Sequence, residues 1–209
     1  MSTHSKKIRC CNTVGVKIGV LALQGNVSEH IGAFERALKC MGREDQSSVF
    51  PIKRPAELEG CDALAIPGGE STTISRLIER NHLYEPIRTF SGGIFATCAG
   101  MVLMAANVDD PRVRPLGLID MIVDRNAFGR QKESFEADLP IHGLDGGPFH
   151  AIFIRAPVAT HAGNGVTVLS RIPQGIVAVE QGKRMALAFH PELSHDTRLH
   201  ERFLKNLVI

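Results

Sequence analysis

The chain has no tryptophan, a single tyrosine and only 5% aromatic residues in 209. Single-stranded nucleic acid is held largely by stacking on aromatic rings, so that mode of recognition is poorly served. Charge does not make up for it. Lys+Arg number 24 and Asp+Glu 22, a net +2, and no basic cluster is dense enough to track a phosphate backbone. No apolar run approaches the ~18 residues that cross a bilayer, and Met1 to Asn12 is polar and basic without the apolar stretch of a signal peptide. Neither a nucleic-acid nor a membrane partner is expected. The cysteines Cys10, Cys11, Cys40, Cys61 and Cys98 are odd in number and match no disulfide framework, which points to a reducing, cytoplasmic setting. Paired C-x-x-C or H-x-x-x-H spacings are missing as well, so no metal site is expected. His190, His195 and His200 recur every fifth residue, off any single helical face. Solvated or locally satisfied histidines are expected at all but His190.

What is present is ordinary globular material, 44% hydrophobic and 22% charged. No repeat or linker interrupts it. Residues 1–16 read as a disordered or extended tail and 17–209 as a single domain. Lys17 to Leu23 is a near-continuous apolar run, the pattern of a strand covered on both faces. Asn26, with Glu29 three residues on, is expected to cap a helix whose stripe is Val27, Ile31, Phe34, Leu38 and Met41, closed by Gly42. Ser48 to Ile52 suits a short or edge strand, since Pro51 cannot serve a central ladder. Cys61 to Ile66 reads as a third strand, followed by Pro67-Gly68-Gly69-Glu70-Ser71 and a helix carrying Ile74, Leu77 and Ile78 inward. Later segments, Leu116 to Val123, Ser134 to Leu139, Ala151 to Ile154, Val166 to Leu169, Gly175 to Glu180 and Arg184 to Phe189, read as strands. Asp196 to Val208 reads as a final helix. Alternating β and α followed by mostly β implies a parallel sheet extended by antiparallel strands.

Chemistry concentrates at Ile94-Phe95-Ala96-Thr97-Cys98-Ala99-Gly100, followed by Met101 to Ala106 of helical composition. Strand, cysteine, helix is the layout of a nucleophile elbow, whose tight turn wants small residues two before and two after the nucleophile: here Ala96 and Gly100. A helix N-terminus beneath the sulfur favours thiolate. A buried structural cysteine fits a bare A-x-C-x-G equally well. Two further features weigh against that. The Gly68-Gly69 pair lets backbone N–H groups converge on a small anion, and without a Walker lysine an oxyanion hole is its better use. Phe189-His190-Pro191-Glu192 puts an imidazole and a carboxylate on one side of an extended segment, as an oriented base requires. Arg125 and Arg130, in the polar segment Asp124 to Gln131, suit a carboxylate ligand, although most segments of this kind are solvated loops.

Together these features resemble the triad-type, class I glutamine amidotransferases. Closest is the family of glutaminase subunits that serve pyridoxal 5'-phosphate synthases. The resemblance rests on Ile18 to Gly25, Pro67 to Thr73, Arg125 to Gln131, Phe135 to Leu139, Phe153 to Pro157 and Phe189 to Leu193, and runs from about Lys17 to the C-terminus. It implies a three-layer, flavodoxin-like α/β fold with a mixed sheet between helices and a cysteine elbow. It further implies Cys98 as nucleophile, His190 as general acid/base and Glu192 as the carboxylate that orients it. Gly69, Glu70, Ser71, Arg125, Ile154 and Arg155 would hold glutamine, and the N–H groups of Gly69 and Ala99 would form the oxyanion hole. No cofactor is implied. The partner implied is a synthase subunit in a large hetero-oligomer, which receives the ammonia for vitamin B6 biosynthesis. The family usually has glycine where this chain has Ala96. The loop Phe90 to Gly93 is shorter than the family pattern, and Gly42 to Phe50 is longer and more polar. A glutaminase for imidazole glycerol phosphate synthesis would share the triad but not Arg125 to Gln131 or Phe135 to Leu139. A cysteine hydrolase of the DJ-1 type has no use for His190-Pro191-Glu192, and a mere scaffold none for an intact triad.

Overall fold

The computed structural model describes residues 15–128 and 134–207. The tail expected over 1–16 lies outside these residues as far as 14, as do Cys10, Cys11, Arg130, Gln131 and Val208. Along the chain come β1 (Lys17–Leu21), α1 (Val27–Cys40), β2 (Ser48–Ile52), α2 (Pro55–Leu58), β3 (Ala63–Ile66), α3 (Ser71–Arg80), α4 (Tyr84–Arg88), β4 (Gly93–Thr97), α5 (Ala99–Met104) and β5 (Ala105–Val108). Strands then dominate: β6 (Ile119–Asp124), β7 (Ser134–Leu139), β8 (Phe149–Ile154), β9 (Val158–Ala162), β10 (Thr167–Ile172), β11 (Gly175–Gln181) and β12 (Arg184–Leu187), before α6 (Arg198–Leu207).

The main sheet runs β2-β1-β3-β4-β12-β11-β9-β6-β5, with β10 beside β11 and a separate β7–β8 hairpin. From β2 to β12 every pairing is parallel, and from β12 to β6 every pairing is antiparallel. The expected mixed α/β sheet between helices is therefore present. Pro51 sits in β2 at the sheet edge, where its missing N–H costs no ladder bond. Every residue of β3 and β4 is buried, as continuous apolar strands in a sheet covered on both faces must be. Successive side chains of β4 show the two layers directly. Phe95 meets Phe34 of α1 and Phe203 of α6 at ring distances of 5.4 and 5.3 Å. Ala96, pointing the other way, lies beneath Gly100 of α5.

Several boundaries differ from the sequence expectation. The helix after the elbow stops at Met104, and Ala105 and Ala106 open β5 instead. Alanine's helical propensity is a weak preference, overridden here by pairing with β6. β6 starts at Ile119 rather than Leu116, and α2, α4 and β9 were not expected. Asn26 precedes α1 but its side chain caps nothing. Gly42 follows that helix at φ 63°, the left-handed stop that was expected. His195 is exposed. His200 is neither solvated nor satisfied. It lies three residues before Phe203 on the inward face of α6, with its ring 4.9 Å from Phe34 and 4.8 Å from Phe95. Neither of its ring nitrogens has a protein partner among the described residues. Burial presses its pKa down to about 3, so it packs as a neutral aromatic ring.

This cluster joins both helices to the central strand. Phe203→Ala should cost about 3–5 kcal/mol in urea unfolding, and a loss below about 1 kcal/mol would show that α6 is not anchored through it.

Candidate active site

The register of the parallel strands brings three chain segments to one rim of the sheet. Ile66 pairs with Ala96, and Thr97 with Leu187. Pro67 to Glu70, Cys98, and Ala188 to His190 therefore leave the sheet side by side at its carboxyl edge, where α/β proteins place ligands. Cys98 joins β4 to α5 with φ 49° and ψ −107°, a conformation L-residues rarely adopt. The turn packs α5 so tightly on β3 and β4 that a Cβ at Gly100 would run into the Ile66 carbonyl and stand 3.1 Å from the Ala96 Cβ. The extra methyl at Ala96 is accommodated because Gly100 has none.

His190 and Glu192 meet as expected, by a different backbone path. Pro191–Leu193 is a 3-10 turn rather than an extended segment. Within it, His190 Nδ1 lies 2.7 Å from Glu192 Oε1, and both residues are buried. Burial alone would lower the His190 pKa, but hydrogen bonds with Cys98 and Glu192 outweigh it and raise the pKa well above the usual range. Burial likewise opposes ionisation of Glu192, yet the neighbouring His30 and His190 keep its pKa below the usual carboxylate value. The Cys98 Sγ also donates to the Ile154 carbonyl at 3.6 Å. A thiol facing an imidazole whose other nitrogen is held by a carboxylate is the arrangement for nucleophilic attack followed by proton return.

Cys98 opens onto a cleft of ≈ 290 Å³ lined also by Gly69, Glu70, Ser71, Arg125 and Arg155. Ala99 lies on its wall. Of the residues expected to hold glutamine, only Ile154 is off the wall, and it contributes the carbonyl that meets Cys98. The Glu70 carboxylate is heavily engaged. It accepts from the Thr72 and Thr73 amides at 3.2 and 2.7 Å and from both their hydroxyls, capping α3. It also receives Arg125 Nη2 at 3.1 Å. Burial would raise its pKa, but these bonds pull it down to about 2. Asp110, itself gripped by Arg112, takes the other end of the Arg125 guanidinium. Arg125 is thus a held cation on the cleft wall, and Arg155 lines the same cleft from a left-handed position, φ 45°. Arg130 lies outside the described residues. Among the described residues no cluster of His, Cys, Asp or Glu could hold a metal ion, and no helix is long and apolar enough to cross a membrane.

Residues 20–209 match the SNO glutamine amidotransferase family. The chain belongs to that family. It is 68% identical over 192 residues to the pyridoxal 5'-phosphate synthase subunit PdxT of Methanoregula boonei, covering 92% of this chain and 99% of the relative. To the subunit of the same name from Methanosphaerula palustris it is 64% identical over 194 residues, 93% of this chain and 98% of the relative. A crystal structure of a glutamine amidotransferase superposes with a TM-score of 0.80 at 44% identity, over 92% of this chain and 99% of that one. At 14% identity, a putative GMP synthase subunit from Thermoplasma acidophilum shares the fold, with a TM-score of 0.58 over 92% of both chains.

Sequence reasoning within this amidotransferase chain missed three residues at the site. Asp110, in the loop that follows β5, holds Arg125. Thr97 sits inside the elbow strand, and its hydroxyl accepts the Gly68 amide at 3.1 Å. His30, fully buried on α1, reaches Thr97 Oγ1 at 3.0 Å and Glu192 Oε1 at 3.5 Å. Its signal was there to read: a histidine one helical turn before Phe34, on the buried face.

The engagement of Glu70 carries a pH signature. Its folded-state pKa lies below the unfolded value of 4.5, so its stabilisation is complete above that value and is lost as the pH falls towards 2. Glu70→Ala should cost about 1 kcal/mol at neutral pH, as loss of a helix cap does. In urea unfolding the gap from wild type should close as the pH falls below about 4. A gap independent of pH would mean that the carboxylate is not what caps α3.

Proposed function

We propose that this chain is the glutaminase subunit of a pyridoxal 5'-phosphate synthase, hydrolysing glutamine to glutamate and ammonia and passing the ammonia to a synthase subunit. The observation that carries the reading is Cys98, raised on a strained elbow that opens on a cleft, beside an imidazole that Glu192 holds. The PdxT name of relatives at 68% and 64% identity supports the choice of acceptor reaction. The class of partner follows from it, a synthase subunit in a large hetero-oligomer. A cytoplasmic setting is consistent with the free thiols of Cys40, Cys61 and Cys98.

In this reading residues 17–209 form one glutamine amidotransferase domain. The glutamine α-carboxylate lies towards Arg125 and Arg155, the two guanidinium groups that line the cleft among the described residues, with the amide end against Cys98. His190 holds the proton taken from Cys98, as its raised pKa favours, while the sulfur attacks the amide carbon. The carbonyl oxygen becomes an oxyanion met by the N–H groups of Gly69 and Ala99. The imidazolium protonates the departing ammonia, leaving a thioester on Cys98. His190 then takes a proton from water, which cleaves the thioester to glutamate and restores the thiol. Glu192 stabilises the cationic imidazole throughout. None of these steps calls on a metal or an organic cofactor.

Cys98→Ser should abolish ammonia release while leaving the unfolding midpoint unchanged, since an unactivated hydroxyl is the poorer nucleophile at neutral pH. Substantial turnover by that variant would remove Cys98 from the role. Arg125→Lys should chiefly raise KM, because a fork held by Glu70 and Asp110 becomes a point charge. Unchanged steady-state constants would assign Arg125 to structure alone.

Control by the partner belongs to the same proposal, since ammonia made without an acceptor is lost to solvent. The Gly68 carbonyl is packed against Gly25, and the Gln24 side chain accepts the Glu70 amide at 3.1 Å. The end of β1 thereby touches the peptide that would present the Gly69 N–H. A synthase subunit bearing on Gln24-Gly25-Asn26 would set that peptide's orientation, and one missing oxyanion donor costs ~10²–10³ in kcat. Glutaminase activity titrated with the synthase subunit should rise towards saturation. A lone subunit already at its full rate would contradict partner-controlled assembly of the oxyanion hole.

A further inference from the structure

The buried face of α1 carries a group that the triad mechanism leaves unused. His30 has no exposed surface, and its Nε2 stands between two residues that serve different halves of the site. One is Glu192, whose Oε1 is 3.5 Å away and is the same oxygen that His190 Nδ1 contacts at 2.7 Å. The other is Thr97, whose Oγ1 is 3.0 Å from His30 Nε2 and accepts the Gly68 N–H at 3.1 Å. Burial presses the His30 pKa below its usual value, so the ring is neutral and carries a single N–H. Placing that proton on Nδ1 would leave it with no protein acceptor and turn the Nε2 lone pair towards a carboxylate oxygen. The Nε2–H tautomer instead donates to Thr97 with Glu192 alongside.

We propose that His30 is a positioning residue for the reaction at Cys98, its Nε2–H fixing the Glu192 carboxylate and, through Thr97, the Gly68 amide of the glycine loop. The acid–base pair and the oxyanion loop are thereby tied to one buried imidazole. The catalytic part of this inference rests on the glutaminase reading, while the part concerning the Cys98–His190 pair does not. Glu192 Oε2 has no protein partner among the described residues, so contacts at Oε1 are what orient this carboxylate. Without His30 the carboxylate gains freedom to turn from His190, the imidazolium is less stabilised, and Cys98 gives up its proton less readily. The titratable groups facing His30 are Glu192 and His190 from the 3-10 turn, His200 from α6 and Glu29 on its own helix.

The test compares His30→Leu, which removes the donor, with His30→Gln, whose amide can present an N–H near the Nε2 position. Two readouts are used, each with unfolding midpoints recorded. The first is the pH dependence of Cys98 alkylation by iodoacetamide, read by peptide mass so that Cys40 and Cys61 are counted separately. His30→Leu should move the acid limb about one unit to higher pH, and His30→Gln should restore most of it. The second is glutaminase activity in complex with the synthase subunit. His30→Leu should lower kcat about 10–100-fold with KM little changed, the cost of a small misplacement. Glu192→Gln should absorb most of that loss in the double variant, because both act on one imidazole. An unchanged alkylation profile in folded His30→Leu overturns the proposal, as do losses that add independently in the double variant. If alkylation shifts as stated but the wild-type complex releases no ammonia, the glutaminase reading fails while the positioning of Cys98 and His190 stands.

Discussion

One backbone conformation organises this molecule: Cys98 held at φ 49° and ψ −107° between β4 and α5. A non-glycine residue there costs on the order of 1–3 kcal/mol and persists only where its surroundings over-determine it. They do so here. Both flanking elements are fully buried, and α5 lies so close to the end of β3 that residue 100 has room for nothing beyond glycine. Hydrogen bonds from the Cys98 amide to Leu187 and from Met101 to the Cys98 carbonyl fasten the turn on either side. The strain lifts a thiol out of the hydrophobic interior into a polar cleft, and the core of two stacked layers is what makes that geometry affordable.

The second constraint is a carboxylate placed where carboxylates are costly. Glu192 is buried, and burial opposes its ionisation. An unpaired charge there would be expelled or protonated. It remains charged because His190 and His30 both address one of its oxygens, and that need explains why a histidine occupies the core face of α1. The acid–base chemistry and the packing of α1 against the sheet are in this sense one arrangement. On the far wall of the cleft the logic repeats with opposite sign. Arg125 is placed by Glu70 and Asp110, which balance its charge without consuming all its donors.

Features carried by local pattern were legible in the sequence. The apolar runs of β1, β3 and β4, the proline of an edge strand, the small residues around Cys98, the glycine loop and the His190–Glu192 spacing each obey a short-range rule, and the structure has all of them. The His190–Glu192 contact survived even though its backbone is a 3-10 turn, because Pro191 and the short spacing leave the two side chains few other places to go. Features set by distant pairing were not legible. Ala105 and Ala106 look helical until β6 lies beside them, and β9 has no alternation clear enough to declare it. Asp110 gains meaning only when β6 delivers Arg125 to it. His30 and His200 sit where periodicity would place aliphatic residues, and only the assembled core shows that one is a contact to Glu192 and the other a packed ring.

The central claim is that Cys98 forms a covalent bond to the substrate at this elbow. Rapid acid quench of the synthase complex turning over glutamine, followed by peptide mass mapping, tests it most directly. The account predicts a glutamyl thioester on the peptide containing Cys98 alone. A glutamyl adduct on Cys40 or Cys61, or steady turnover with no adduct on Cys98 at any quench time, would contradict it.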